Sequence, residues 1–436
     1  MMLRLLVFCL LFLLPVRVLA APADLPSRCF VCAAASEAAY SGELPELLRA
    51  RLAAAGWQIA SYETEGRRGT VGRFFHMVRT DEDGTETHLI AFPGTERGSD
   101  VWTDLRLGRA AFGGDSPAEF LAVRDMRVTE RSETPLVHRG FLDYTQAALF
   151  TDVLPAYGNR TAGEVLAAEL RAHPSMRIYL TGHSLGGAAA VLAAARLSDL
   201  GVAPEQLVVT TFGAPAVGNA AFVRRYEGRF TLHRVVMSGD PMKDVLAAPL
   251  GFQQFGERVP WSPARSVAKF PHAMMVYVDA AIRQIYDAYG GDNAFLFLMG
   301  LPNRTEGRTL YVLPIETELD DTLAEDAPYM TAVLRDALHV QNASVVFAAG
   351  GGGLSADGLL SGLSSHLAAA RAAGAEQMVA YRIAGAKIRD ARETYRLTLE
   401  RVVYDMDGNL LAATSHSART GALTPIETVL YLFAQD

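Results

Sequence analysis

The sequence predicts an α/β fold in which helices cover a mostly parallel sheet, followed by a smaller carboxyl-terminal α+β domain. Three observations carry that expectation. Short apolar runs of buried-strand type alternate with helix-like stretches between Met176 and Met237. One strand-to-helix junction holds a serine among glycines, Gly182-His183-Ser184-Leu185-Gly186. Beyond about Tyr289 the composition changes, and a second series of strand and helix patterns begins.

The 436 residues are 50% hydrophobic and 20% charged, enough apolar surface for large cores, so the chain is not a disordered one. A formal charge of -8 without a basic block excludes a nucleic-acid surface, which needs clustered Lys and Arg to displace counterions. Met1 to Arg4, the apolar run Leu5 to Val16 and the small-residue pattern Val18-Leu19-Ala20 read as a secretory signal peptide over 1–20, implying a secreted or periplasmic protein. In that compartment Cys29 and Cys32, at the start of a helix-like stretch reaching Tyr40, could close a small local disulfide, and the sequence leaves open whether they are bonded.

Within the expected first domain, 21–288, strands fall at Arg73 to Arg79 and Thr87 to Phe92 around the turn Asp81 to Gly84. Met176 to Thr181, Gln206 to Phe212 and Thr231 to Met237 are buried strands, with helices over Gly187 to Leu200 and Asn219 to Tyr226 between them. A linker over 289–308 leads to the carboxyl-terminal domain, 309–436. There strands are expected at Thr309 to Ile315, Ser344 to Ala348, Met378 to Ile383, Thr394 to Tyr404 and Leu410 to His416. Helices are expected at Asp326 to Leu338, Leu359 to Ala372 and after Thr424, all on one face of the sheet. Gly350 to Gly353 lacks the Gly-Lys-Ser/Thr of a phosphate loop.

The pentapeptide around Ser184 fits Gly-x-Ser-x-Gly, a sharp turn that lifts a serine hydroxyl above the sheet edge. Side chains at Gly182 and Gly186 would strike neighbouring backbone in so tight a turn. A serine needs a base and an orienting carboxylate, in the order Ser, Asp or Glu, His along such a chain. Asp240, after the strand ending at Met237, and His272 in "KFPHAMMVYV" fit that order. Asp244 is a substitute acid, and His233 and His138 are rival bases. Donors for the developing oxyanion are expected from the Leu185 amide and from Thr95, which follows the bend at Gly94.

The blocks "IAFPGTERGSDVWTDL", "VHRGFLDY", "TGHSLGGAAAVLAAARL", "TFGAPAVGN", "RVVMSGDPM" and "FPHAMMVYV" together resemble the class 3 lipases, the group of the secreted fungal triacylglycerol lipases, from about Ala38 to Val278. The resemblance implies an α/β-hydrolase fold that cleaves lipid esters, with Ser184, Asp240 and His272 as triad, Thr95 in the oxyanion position and a lid near Ser99 to Arg109. The chain has Pro93 where family members usually carry arginine. Triacylglycerol lipase, phospholipase and soluble-ester esterase all fit, each without metal or organic cofactor. Expected partners are a lipid or other ester substrate, a lipid surface touched transiently, and an envelope component bound by the carboxyl-terminal domain. The alternative is a non-catalytic envelope binding protein on a hydrolase scaffold.

Overall fold

The computed structural model describes residues 24–435 except 67–68, 81–83, 85, 96–107, 127–132, 243–244, 246–249, 269–270, 291–307, 343, 351, 356–359, 361, 389–393 and 422. The expected signal peptide, most of the expected lid and nearly all of the expected linker therefore lie outside the described residues.

The chain enters as two helices, α1 (Leu25–Ala38) and α2 (Glu43–Ala54), and then builds a seven-stranded sheet. Its strands are β1 (Gln58–Glu65), β2 (Val71–Thr80), β3 (Glu86–Phe92), β4 (Ile178–His183), β5 (Leu207–Phe212), β6 (Thr231–Met237) and β7 (Glu257–Trp261), side by side in that order. β1, β2 and β3 pair antiparallel, and from β3 onward every pairing is parallel. This is the mostly parallel sheet of an α/β-hydrolase. β4 and β5 are buried at every residue, as strands covered on both faces must be. β1 was not anticipated, because this edge strand, Gln-Ile-Ala-Ser-Tyr-Glu-Thr-Glu, is half-exposed and lacks the apolar alternation that marks a strand.

Helices cover both faces. The alanine-rich α3 (Leu185–Asp199) is buried from Gly186 to Ser198, and its small side chains let it lie close against the sheet. On the other face α1 packs against α4 (Met274–Tyr289), the helix that follows His272. Cys29 and Cys32 are both free and buried in this core. Burial pushes the two thiols up to about 12 and about 11.

The second sheet comprises β8 (Thr309–Val312), β9 (Glu316–Leu319), β10 (Ser344–Phe347), β11 (Gln377–Lys387), β12 (Tyr395–Asp405) and β13 (Leu410–Arg419). Its order is β10-β8-β11-β12-β13 with β9 also against β11, parallel up to β11 and antiparallel beyond. Helices do not lie on one face, as expected, but on both. Leu310, Val312, Val379 and Ile383 point into the core shared with α5 (Ala327–Gln341) and α7 (Pro425–Phe433). Tyr311, Leu313, Met378 and Ala380 face α6 (Leu363–Ala372). The central strands β8 and β11 are buried on alternate residues of both faces, so a second covering layer is required.

One apolar core runs from α1 and α4 through α5 and α7, so the second sheet seats on the α1 side of the first. Arg283 of α4 anchors that seam, bonded to Asp279 at 2.7 Å, to buried Asp326, and lying 4.6 Å over the Tyr329 ring. Among the described residues no helix is long and apolar enough to cross a membrane.

Candidate active site

Ser184 sits between the last residue of β4 and the first of α3, with φ 55° and ψ -121°. That left-handed backbone is costly for a residue with a side chain and persists only where its surroundings enforce it. They do so here. The Ser184 amide donates to the Phe212 carbonyl of β5 at 3.0 Å, and its carbonyl accepts from Ala188 at 3.1 Å. A methyl on Gly182 would lie 2.3 Å from the Gly186 carbonyl carbon, and one on Gly186 2.1 Å from the Phe92 oxygen, so neither position admits a side chain.

Asp240 ends the short turn after β6, and its amide donates to Met237 at 3.1 Å. Its carboxylate is nearly inaccessible yet well supplied with donors. Oδ2 accepts from His272 Nδ1 at 2.8 Å and from the Tyr277 hydroxyl at 2.6 Å, and Oδ1 from the Met242 amide at 2.8 Å. Burial alone would raise this carboxyl, and the bonds from His272, Tyr277 and Met242 outweigh it, holding its pKa below the ordinary carboxylate value. A carboxylate can only accept, so His272 carries its proton on Nδ1. Its bare Nε2 then faces Ser184 Oγ at 3.1 Å.

His183 lies behind this line. Its Nε2 donates to the His272 backbone carbonyl at 2.7 Å, and its Nδ1 accepts from the Tyr40 hydroxyl at 2.7 Å. Burial, with His272 close by, drops its pKa to about 3, so it stays neutral and keeps that tautomer. The same Tyr40 hydroxyl presses on Gly94, where an added Cβ would fall 2.0 Å from it. The loop bearing Thr95 is thus fixed from below, and the Tyr144 hydroxyl, bonded to Arg73 at 2.9 Å, also reaches the Pro93 carbonyl at 3.4 Å. Leu185 is the first residue of α3, so its amide has no acceptor within the helix and points free at the helix's positive end.

The structure brings Ser184, Asp240 and His272 into one hydrogen-bonded line. The rivals lie elsewhere. His138 is fully buried, accepts from the Phe141 amide at 3.3 Å and is lowered to about 4 by burial. His233 faces Glu257 at 3.3 Å on β7. Asp244 lies outside the described residues. Sequence reasoning missed Tyr40, Tyr277 and Gly213, the last with φ 54° and room for no methyl, since one would stand 2.5 Å from Asp240 Oδ2 and 3.1 Å from His272 Nδ1. Only their neighbourhood in space marks them.

Residues 89–248 match the family model described as lipase, class 3. Over that span the chain is similar to the class 3 lipases. The matched span holds Thr95, Ser184, Leu185 and Asp240, and His272 follows it. The toxin TseL of Vibrio cholerae is 37% identical over 91 residues, covering 21% of this chain and 12% of that protein. A lipase of Rhizopus niveus is 34% identical over 119 residues, covering 27% of this chain and 28% of that one. The chain thus spans well under half the length of either relative. The solved structure of lipase II from Rhizopus niveus aligns at 20% identity over 54% of this chain and 78% of that one, with a TM-score of 0.38.

Proposed function

We propose that the chain is an exported serine hydrolase of lipid esters that works through an acyl-enzyme intermediate. The observation that carries this reading is the line from Asp240 through His272 to Ser184, 2.8 Å and 3.1 Å long, at the carboxyl ends of parallel strands. Ser184 Oγ attacks the ester carbonyl carbon while His272 Nε2 takes its proton. The resulting oxyanion lies toward the amide of Leu185 and the amide and hydroxyl of Thr95. The intermediate collapses as His272 returns the proton to the leaving alcohol, and the acyl group stays on Ser184. Water then attacks the acyl carbon, gives a proton to His272, and the acid leaves as that proton passes back to Ser184. Asp240, held ionised by its three donors, balances the imidazolium charge at each transfer.

In this reading residues 1–20 are removed on export, 21–288 form the hydrolase, and 309–436 form a second domain whose role is to dock the enzyme. The test is labelling of the mature protein by a fluorophosphonate, beside Ser184→Ala and His272→Ala, with hydrolysis of emulsified esters as second readout. Labelling of the parent alone, with turnover falling by about 10⁴-fold or more in both variants, is the expected result. A parent that stays unlabelled in the presence of lipid would overturn the enzyme in favour of a binding protein on the same scaffold.

A further inference from the structure

We propose that the second sheet binds the phosphate-bearing headgroup of a glycerophospholipid and so holds the chain to a lipid surface. The site is a cavity of about 360 Å³ beside the carboxyl end of α5, on the sheet face that α5 and α7 leave partly open. Tyr381 and Arg401 stand opposite each other on β11 and β12 and form its floor with Gln377. Arg308, just before β8, and Asn342, just after α5, close its sides, and Leu411 of β13 lies at its rim.

The charge of this lining is the opposite of the chain's. Among the described residues two arginines and no acidic residue line the cavity, in a protein of formal charge -8. Asp405, the next residue on the same face of β12 beyond Val403, is occupied by its own turn, accepting from the Asp407 and Asn409 amides and the Asn409 side chain at 2.8–2.9 Å. Guanidinium forks match the oxygens of a phosphate, and the Asn342 and Gln377 amides and the Tyr381 hydroxyl add neutral donors at the volume of an ordinary ligand site.

The rim decides the source of that phosphate. Leu411 at that rim is 51% exposed, whereas Leu410 pairs with Tyr404 on the other face of the sheet. A leucine held out in water next to a pair of arginines suits a membrane interface, where the first enters the acyl region and the second meet the headgroup. A soluble phosphate would make no use of it.

This inference does not depend on hydrolysis, and its test uses the full mature chain carrying Ser184→Ala. Co-sedimentation is measured with vesicles of phosphatidylcholine and phosphatidylglycerol and, in parallel, with triolein droplets that carry no phosphate. Binding to the vesicles is expected to weaken by about tenfold in each of Arg308→Gln and Arg401→Gln, and to weaken also in Leu411→Ser, while droplet binding does not change between the parent and the arginine variants. Exposed Arg308 keeps the test valid should the Arg401 change unfold the sheet, which circular dichroism would show. Equal vesicle binding by the parent and the arginine variants sinks the proposal. So does displacement by millimolar inorganic phosphate together with vesicle binding that ignores the leucine change, since the cavity would then be a site for free phosphate.

Discussion

Two regions of this molecule bury carboxyl groups to the same depth and treat them in opposite ways. At the serine site Asp240 is 2% exposed, and three donors converge on it. At the seam between the sheets Glu427 of α7 is 1% exposed, yet one oxygen accepts from the Thr424 amide at 2.8 Å and the other meets no hydrogen-bond partner among the described residues. Burial, with Asp279 and Glu37 adding negative charge, pushes Glu427 well above the usual carboxylate range, and burial alone lifts Glu37 of α1 to about 7. Depth therefore does not set the charge of a buried acid. The number of donors aimed at it does, and Asp240, unlike Glu427, is supplied with enough of them to keep a negative charge.

The largest effect is expected from breaking that wiring sterically. Gly213→Ala places a methyl into Asp240 and His272 and strains a left-handed backbone, so kcat of the proposed ester hydrolysis should drop by about a hundredfold or more. Circular dichroism should stay unchanged. A variant with parental kcat would show that the line of three residues tolerates displacement, and the contrast with the seam would lose its meaning.

Removing Glu37, the acid that burial alone raises, should do the reverse of harm. A carboxyl raised to about 7 holds its proton more tightly in the native state than in the unfolded one, where it titrates near about 4.3. Its contribution to stability is therefore full below about pH 4.3 and is lost as pH climbs to about 7. Glu37→Gln should flatten that fall and leave the protein about 2 kcal/mol more stable than the parent at pH 8, read by urea unfolding. An unchanged pH profile would mean Glu37 is ionised in the native chain.

The smallest effect sharpens the comparison from the other side. Tyr277→Phe takes one donor of three from Asp240 and leaves the Met237 amide without its hydroxyl partner, 3.3 Å away. Turnover should fall by about tenfold while KM holds, as the carboxylate loses one of the donors that keep it ionised. A structural role alone would lower stability and leave kcat of the folded variant unchanged.

The parts of this arrangement written in local spacing were legible in the sequence. Ser184 stands in a patterned turn between a buried strand and a helix, and Asp240 and His272 follow in the order expected after such a turn. Tyr40, Tyr277 and Gly213 act on the site across long chain separations, 143 residues for Tyr40 and His183, through one bond or one missing methyl each, and no periodicity marks such a residue. The second sheet was misread for a related reason. Its central strands alternate two apolar faces, and a run such as Leu310 to Leu313 looks the same whether one layer of helices or two must cover it.

The placement of α1 sets a timetable for folding. This helix leads to Tyr40 and so to His183, yet its flank belongs to the core completed by Ile426, Val429 and Phe433 of α7. Such long-range closure is slow, and it ties α1 to a helix made far later in synthesis. A nascent chain holds Ser184 long before it holds α7, which completes the core behind α1. The final setting of the residues behind Ser184 is thus deferred until α7 has been made.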